Sequence, residues 1–203
     1  MDRRSFLASV ALAAAVPRAA WSPATSSRRD AGPACGPLSD RGVRSCEAAL
    51  TAGALELASS SPEWAFPTCI AAIFRHAHHP ISAARLVDET WGRIERMPAR
   101  PASILADLNR SWLDDDDHAF SAATTIFTPD VTTAARELDA DRPVLLAIGT
   151  HAMVLDALTW VEDALGRARF ASATVADPLP PGRRALGEAD YRGVAFAATI
   201  RVA

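Results

Sequence analysis

The apolar residues of this chain change their spacing once, and that change limits the folds open to it. Before the acidic run 114–117 they recur three and four residues apart: Ile70, Ile73 and Phe74, then Leu86, Val87 and Trp91, then Ile104, Leu105, Leu108 and Trp112. This is the period of helices that bury one face. The spacing predicts helices over about 66–76, 82–93 and 103–113. Pro67 falls in the first turn of the first helix, where its missing N–H costs nothing, and Ser82 and Ser103 stand as N-caps of the other two. Beyond the acidic run, segments 122–127, 143–148, 151–161, 170–176 and 194–202 read as strands, with one helix over 131–139 among them. A helical half followed by an antiparallel sheet half predicts an α+β arrangement of two layers that meet along a cleft, and the cleft is where a site is expected. A length of 203 residues is enough for one domain with a substantial core.

The first residues have a different logic. Arg3 and Arg4 precede Ser5, Phe6 and Leu7, then the almost wholly apolar run 8–16, then small residues. This reads as an export signal, and the paired arginines before Phe-Leu resemble the twin-arginine type. The run is shorter than the roughly 20 residues that span a bilayer. The chain is therefore read as a signal over 1–24, cleaved near 20–24, a Ser/Arg/Gly/Pro-rich linker over 25–48, and a globular domain over 49–203. An exported protein, periplasmic or secreted, is expected, with no membrane segment once the signal is removed. In such a compartment Cys35, Cys46 and Cys69 are an odd number. Of the three pairings, a Cys35–Cys46 bridge is the local one and leaves Cys69 free; the alternative is a pair of unpaired surface thiols.

Several motifs in the body resemble the bacterial papain-like cysteine peptidases. The run Pro62-Glu63-Trp64-Ala65-Phe66 leads through Ile70-Ala71-Ala72-Ile73-Phe74-Arg75 to His79-Pro80-Ile81-Ser82 and Val87-Asp88-Glu89-Thr90-Trp91-Gly92. In that family a Trp-Cys-Trp-Ala-Ala segment opens the central helix and a Gly-His-Pro-Val-Ser segment follows it. Later, Arg142-Pro143-Val144-Leu145-Leu146 and Gly149-Thr150-His151-Ala152-Met153-Val154-Leu155 are similar to the strand pair that carries the family's histidine. Val175-Ala176-Asp177-Pro178, before the basic, proline-rich turn expected over 180–184, is similar to the strand end that supplies the residue orienting it. The resemblance covers about 50–203 and implies a papain-like fold.

It also implies roles. A thiol at the amino end of a helix is driven toward thiolate by unsatisfied N–H groups and a neighbouring imidazolium, a histidine transfers the proton, and a carboxylate or amide fixes its tautomer. His151 and Asp177 fall on the last two positions. An ungapped count back from Pro80 places the family's cysteine on Ala65, and the oxyanion-donating Gln about six residues earlier is Ser59. Two parts of the machinery are thus missing. The resemblance implies a pseudopeptidase that binds a peptide or protein in the former cleft. The alternative is an active thiol hydrolase in which Cys69, one helical turn after Ala65, works with His151 and Asp177.

Other candidates have plainer readings. His76, His78 and His79 lack a Cys or carboxylate to complete a metal set and read as a solvated helix end. The acidic run lacks the Gly and the terminal Glu of an EF-hand and reads as a solvated turn, weak calcium binding being the alternative. No metal or cofactor is expected. A net charge of -3 and 6% aromatic content give no basis for a nucleic-acid partner.

Overall fold

The computed structural model describes residues 33–51 and 55–203; the expected signal lies outside them. Strands β1 (Ala34–Cys35) and β2 (Val43–Ala49) come first. A 3₁₀ turn, Pro62–Trp64, runs into helix α1 (Ala65–His76), followed by α2 (Ala83–Trp91) and α3 (Pro101–Ala106). Then come β3 (Ser111–Leu113), β4 (Ala119–Phe127), α4 (Val131–Asp139), β5 (Val144–Ile148), β6 (His151–Asp163), β7 (Ala168–Pro178), β8 (Pro181–Leu186), α5 (Glu188–Arg192) and β9 (Phe196–Val202). This is an α+β chain whose strands join one antiparallel sheet. Among the described residues no helix is long and apolar enough to cross a membrane.

The sheet is organised around β6. Its first residues pair with β5, from Ile148↔His151 to Val144↔Leu155, and its last seven pair with β2, from Ala49↔Ala157 to Val43↔Asp163. The opposite edge pairs with β7, with register shifts at Leu155/Ala157 and Thr159/Trp160. Such bulges add local bend and twist, which lets one long strand serve partners at both ends.

Alternation along the strands buries both faces. Leu145, Ala147, Ala152, Val154, Ala176 and Ala198 pack with Phe66, Cys69, Ile70, Ile73 and Phe74 of α1. Val144, Leu146, Met153, Leu155 and Val175 pack with Val131, Ala134, Ala135 and Leu138 of α4 and with Tyr191 of α5. The continuous apolar runs in β5 and β6 follow from this, since a strand covered on both sides has no polar face. The expected two layers are therefore three: helices lie on each side of the sheet. Small residues on the α1 side let that helix approach closely, and Phe74 meets Phe120 edge-on at 5.1 Å and Trp112 at 5.6 Å.

Three further expectations are corrected. The linker does not run to residue 48: β2 is an inner strand with Cys46 and Ala48 buried, and its alternation is carried by small residues that give little apolar signal. The Cys35–Cys46 bridge, by contrast, is present as the local pairing: Cys35 lies directly opposite Cys46, and Cys69 is left free and buried. The third helix starts at Pro101 and ends at Ala106, so Ser103 is inside it and Trp112 belongs to β3. Asn109 turns the chain away by accepting the Thr124 N–H at 2.6 Å and its hydroxyl at 3.0 Å, while the Trp112 indole N–H donates to the Leu108 carbonyl at 3.1 Å. Segment 180–184 is mostly strand β8, paired to β7, rather than turn. Helix α2 keeps its expected cap, the Ser82 hydroxyl accepting the Arg85 N–H at 3.1 Å, and ends at Gly92 with φ +78°.

The polar clusters set aside as solvated are also tied into the fold. Asp114 is fully buried. Its Oδ1 accepts the N–H groups of Asp116 (3.0 Å) and His118 (2.8 Å), and its Oδ2 meets the His79 ring at 3.0 Å. Burial opposes its charge, but the His118 N–H, the His79 ring and the Asp116 N–H outweigh that and hold the carboxyl below the ordinary carboxylate range. His76 reaches the Asp141 carbonyl at 3.0 Å.

Two expectations follow for stability. By loop-closure arithmetic the Cys35–Cys46 bridge, with a sequence separation of 11, contributes about 3 kcal/mol. Replacing both cysteines by serine should lower the denaturation midpoint accordingly, with a somewhat steeper slope as the unfolded chain loses its cross-link; an unchanged midpoint would contradict that contribution. Tyr191, the only tyrosine in the chain, stacks on Phe170 at 4.4 Å with its hydroxyl buried and unpartnered among the described residues. Burial, with the charge of Asp130 adding to it, pushes its pKa up to about 12. The folded state thus favours the protonated phenol, a contribution intact below the unfolded pKa of about 10 and lost as pH rises toward about 12. Tyr191→Phe should leave stability at pH 7 equal or up to about 1 kcal/mol higher and should blunt the alkaline loss. Ultraviolet titration of this single phenol checks the shift directly.

Candidate functional site

His151 is the first residue of β6, reached through a two-residue turn after β5 in which Gly149 adopts φ +59°. A positive φ at the first turn position suits glycine and matches the twist of the flanking strands. Asp177 lies near the end of β7, opposite Gly182 of β8. The fold brings the two together: His151 Nε2 is 2.8 Å from Asp177 Oδ1. A carboxylate oxygen accepts, so Nε2 carries a proton, and in the neutral ring Nδ1 is then the acceptor.

Asp177 is nearly fully buried, and its oxygens are well supplied with donors. Oδ1 also accepts the Leu179 N–H at 2.9 Å, and Oδ2 accepts Arg184 Nε at 2.7 Å. Arg184 projects from β8 and extends a further contact to Met153 Sδ at 3.6 Å. Reading the sequence assigned Arg184 no role, because its place follows from the β7–β8 register, which puts it opposite Val175 two residues before Asp177. The His151 ring keeps about a quarter of its surface exposed, while the carboxylate that holds it is buried.

The positions on the other side of the expected site are also placed. Ala65 is the first residue of α1, its N–H donating to the Pro62 carbonyl, and it is completely buried. Ser59 turns its hydroxyl to the Ser61 carbonyl at 2.7 Å, while its N–H donates to the carbonyl of Pro178 at 2.9 Å. The segment leading into α1 is thus hydrogen-bonded to the residue after Asp177, but the Ser59 hydroxyl is committed to its own chain. Strand alternation gives His151 and Asp177 the parity of Met153 and Val175, whereas Ala65 packs on the opposite face with Ala152 and Ala176. The approach to α1 and the pair therefore meet around the strand ends. There Thr150 lines one groove of about 310 Å³ with Pro62, Glu63, Phe66, Ile94 and Met97. Hydrogen bonding from Ser61 holds the exposed Glu63 carboxyl below its ordinary range, so the groove has an anionic rim.

Cys69 sits one turn into α1 and is wholly buried. Burial pushes its thiol pKa well above the usual range, and the Asp177 carboxylate adds to the shift. That is the reverse of what a thiolate nucleophile needs. The arrangement sets an imidazole on a buried carboxylate, and the one free thiol, Cys69, is buried. No family model matches the chain, and no match was found among the curated proteins compared with it.

Iodoacetamide at pH 8 should therefore leave Cys69 unlabelled in the folded protein and label it fully on unfolding; rapid labelling of the native state would contradict the burial. Asp177→Ala strands the donors of His151, Leu179 and Arg184 and should cost about 3 kcal/mol, read as a shift in the denaturation midpoint. A change under 0.5 kcal/mol would show that the carboxylate is not their shared acceptor.

Proposed function

We propose that the chain is an exported homologue of the papain-like cysteine peptidases that has lost its nucleophile and binds a peptide or protein in the former cleft. The observation that carries this reading is the contact of His151 with Asp177 at 2.8 Å. These are the two residues that the resemblance designates, 26 positions apart in the chain. The pair orients an imidazole as a proton carrier, a costly arrangement to build from a buried carboxylate unless a site was selected around it. The position that should present the thiol to that imidazole is Ala65, at the amino end of α1.

Three other features support the reading. The groove beside Thr150 offers apolar side chains, Phe66, Ile94 and Met97, with Glu63 at its rim, the composition of a site that takes an extended segment by its side chains. The Cys35–Cys46 bridge fits an oxidising compartment, as does the paired-arginine beginning. The burial of Cys69 and the raised pKa of its thiol disfavour the alternative in which it acts as nucleophile.

Ala65→Cys tests the assignment. If residue 65 once carried the nucleophile, the new thiol should meet His151 and react with iodoacetamide at pH 7 roughly tenfold faster than an ordinary cysteine, with Cys69 as an unlabelled internal control. Loss of that enhancement in the His151→Ala background would tie it to the imidazole. A thiol of ordinary reactivity in both backgrounds would sink the reading of Ala65 as the lost nucleophile.

A further inference from the structure

Four large apolar side chains stand exposed among the described residues, and two of them belong to neighbouring turns at one end of the sheet. Leu165, 75% exposed, is at the tip of the β6–β7 hairpin, and Leu38, 55% exposed, opens the turn that joins β1 to β2. The register sets these turns side by side: Val43, where the first ends, lies opposite Asp163, where the second begins. We propose that the two turns form a docking surface for an anionic lipid bilayer, with Leu38 and Leu165 entering the headgroup region and the arginines beside them meeting lipid phosphates.

Charge at this end runs against that of the whole chain. Arg41, Arg44, Arg167 and Arg169 stand against Asp40, Glu162 and Asp163, whereas the full sequence carries -3. Two of the three carboxylates are also engaged within the protein. Glu162 pairs with Arg44 at 2.6 Å, and Asp163 Oδ1 accepts the N–H groups of Leu165 at 2.9 Å and Arg167 at 3.0 Å. Arg41, Arg167 and Arg169 are exposed, each within four residues of one leucine or the other in the sequence. Exposed cations beside apolar tips are the complement of an anionic lipid surface. Their aliphatic stems can lie along it while the guanidinium groups bind phosphate.

The turns also suit a place where water is scarce, because they satisfy their own backbone. In the first, the Ser39 N–H donates to the Val43 carbonyl and the Gly42 N–H to the Ser39 carbonyl, both at 2.8 Å, and the Ser39 hydroxyl closes the loop on Val43 at 2.8 Å. In the second, the Gly166 N–H donates to the Asp163 carbonyl at 2.9 Å, beside the two N–H groups held by the Asp163 carboxylate. Polar groups already paired cost little to move out of water. Shape separates a bilayer from a protein partner. Two side chains on projecting turns offer no groove, and a stable protein interface needs about 800 Å² of matched surface per partner. The surface lies at the end of β6 remote from His151, so the inference does not depend on the function proposed for the cleft.

The test is cosedimentation of the untagged full chain with sucrose-loaded vesicles of phosphatidylcholine, alone or with about 30% phosphatidylglycerol. Leu38→Ser with Leu165→Ser, both at exposed positions, should keep Tm within about 1 °C of the parent and lower partitioning onto the anionic vesicles by about tenfold or more. Arg167→Gln with Arg169→Gln should lower it by about tenfold, and about 0.5 M salt should weaken binding of the parent. The amino-terminal segment also carries apolar and basic residues, so a second readout locates the contact. An environment-sensitive dye on Leu165→Cys should shift to the blue with anionic vesicles and not with phosphatidylcholine alone. The same dye on Leu113→Cys, exposed on β3 at the other edge of the sheet, should stay in water. Cys69 is buried and the other two cysteines are bonded, so the label is confined to the new thiol. No shift at residue 165, or equal shifts at 165 and 113, would overturn the proposal. A dimer seen by light scattering that the leucine substitutions dissolve would also overturn it and assign the tips to a second copy of the chain.

Discussion

The structure depends on one strand. β6 is 13 residues long and draws on both edges and both faces: β5 and β2 share one edge, β7 takes the other, α1 packs above and α4 below. Hydrogen-bonded neighbours fix its register, and since a one-residue slip would exchange the two buried faces, the register is strongly determined. His151 is its first residue. The position of that imidazole is thus inherited from the pairing of the sheet, and so is the position of Asp177, one residue beyond the last pair of β7 with β6, Val154↔Ala176.

The carboxylates show the same economy of donors. Asp177 collects a ring N–H, a backbone N–H and a guanidinium; Asp114 collects two backbone N–H groups and an imidazole. Burying a carboxylate costs several kcal/mol unless such partners are present. Asp156 is the less complete case: Arg183 reaches one oxygen at 2.9 Å, and burial still holds its pKa above the ordinary range. Where donors converge, a carboxylate becomes a fixed point on which a histidine can be oriented, and the fold uses that device in two places.

Much of the architecture is legible in the sequence, for physical reasons. The α1 and α2 periods, the Ser82 cap, the bounds of α4 and the strand runs of β4 to β7 and β9 depend on local patterns that the fold leaves intact. What is not legible depends on partners far away in the chain. β2 alternates through Ala and Cys, too small to stand out, and is a strand because β6 lies beside it. The stretch after α3 has a helical period, but Asn109 is held by Thr124 and Trp112 is drawn under Phe74. Arg184 looks like part of a basic turn until the β7–β8 hairpin sets it against Asp177. Of the candidate site, the resemblance singles out His151, Asp177, Ala65 and Ser59; their burial and the direction of the Ser59 hydroxyl come from packing that no motif encodes.

The central claim is that the His151 ring is held through Nε2 by the buried carboxylate of Asp177. The most direct measurement is the nitrogen-15 correlation spectrum of the imidazoles at neutral pH, with His151 assigned from His151→Gln. The account predicts the Nε2–H tautomer for His151, with a protected Nε2–H signal that disappears in Asp177→Ala. An Nδ1–H tautomer, or a rapidly exchanging mixture insensitive to Asp177→Ala, would contradict it.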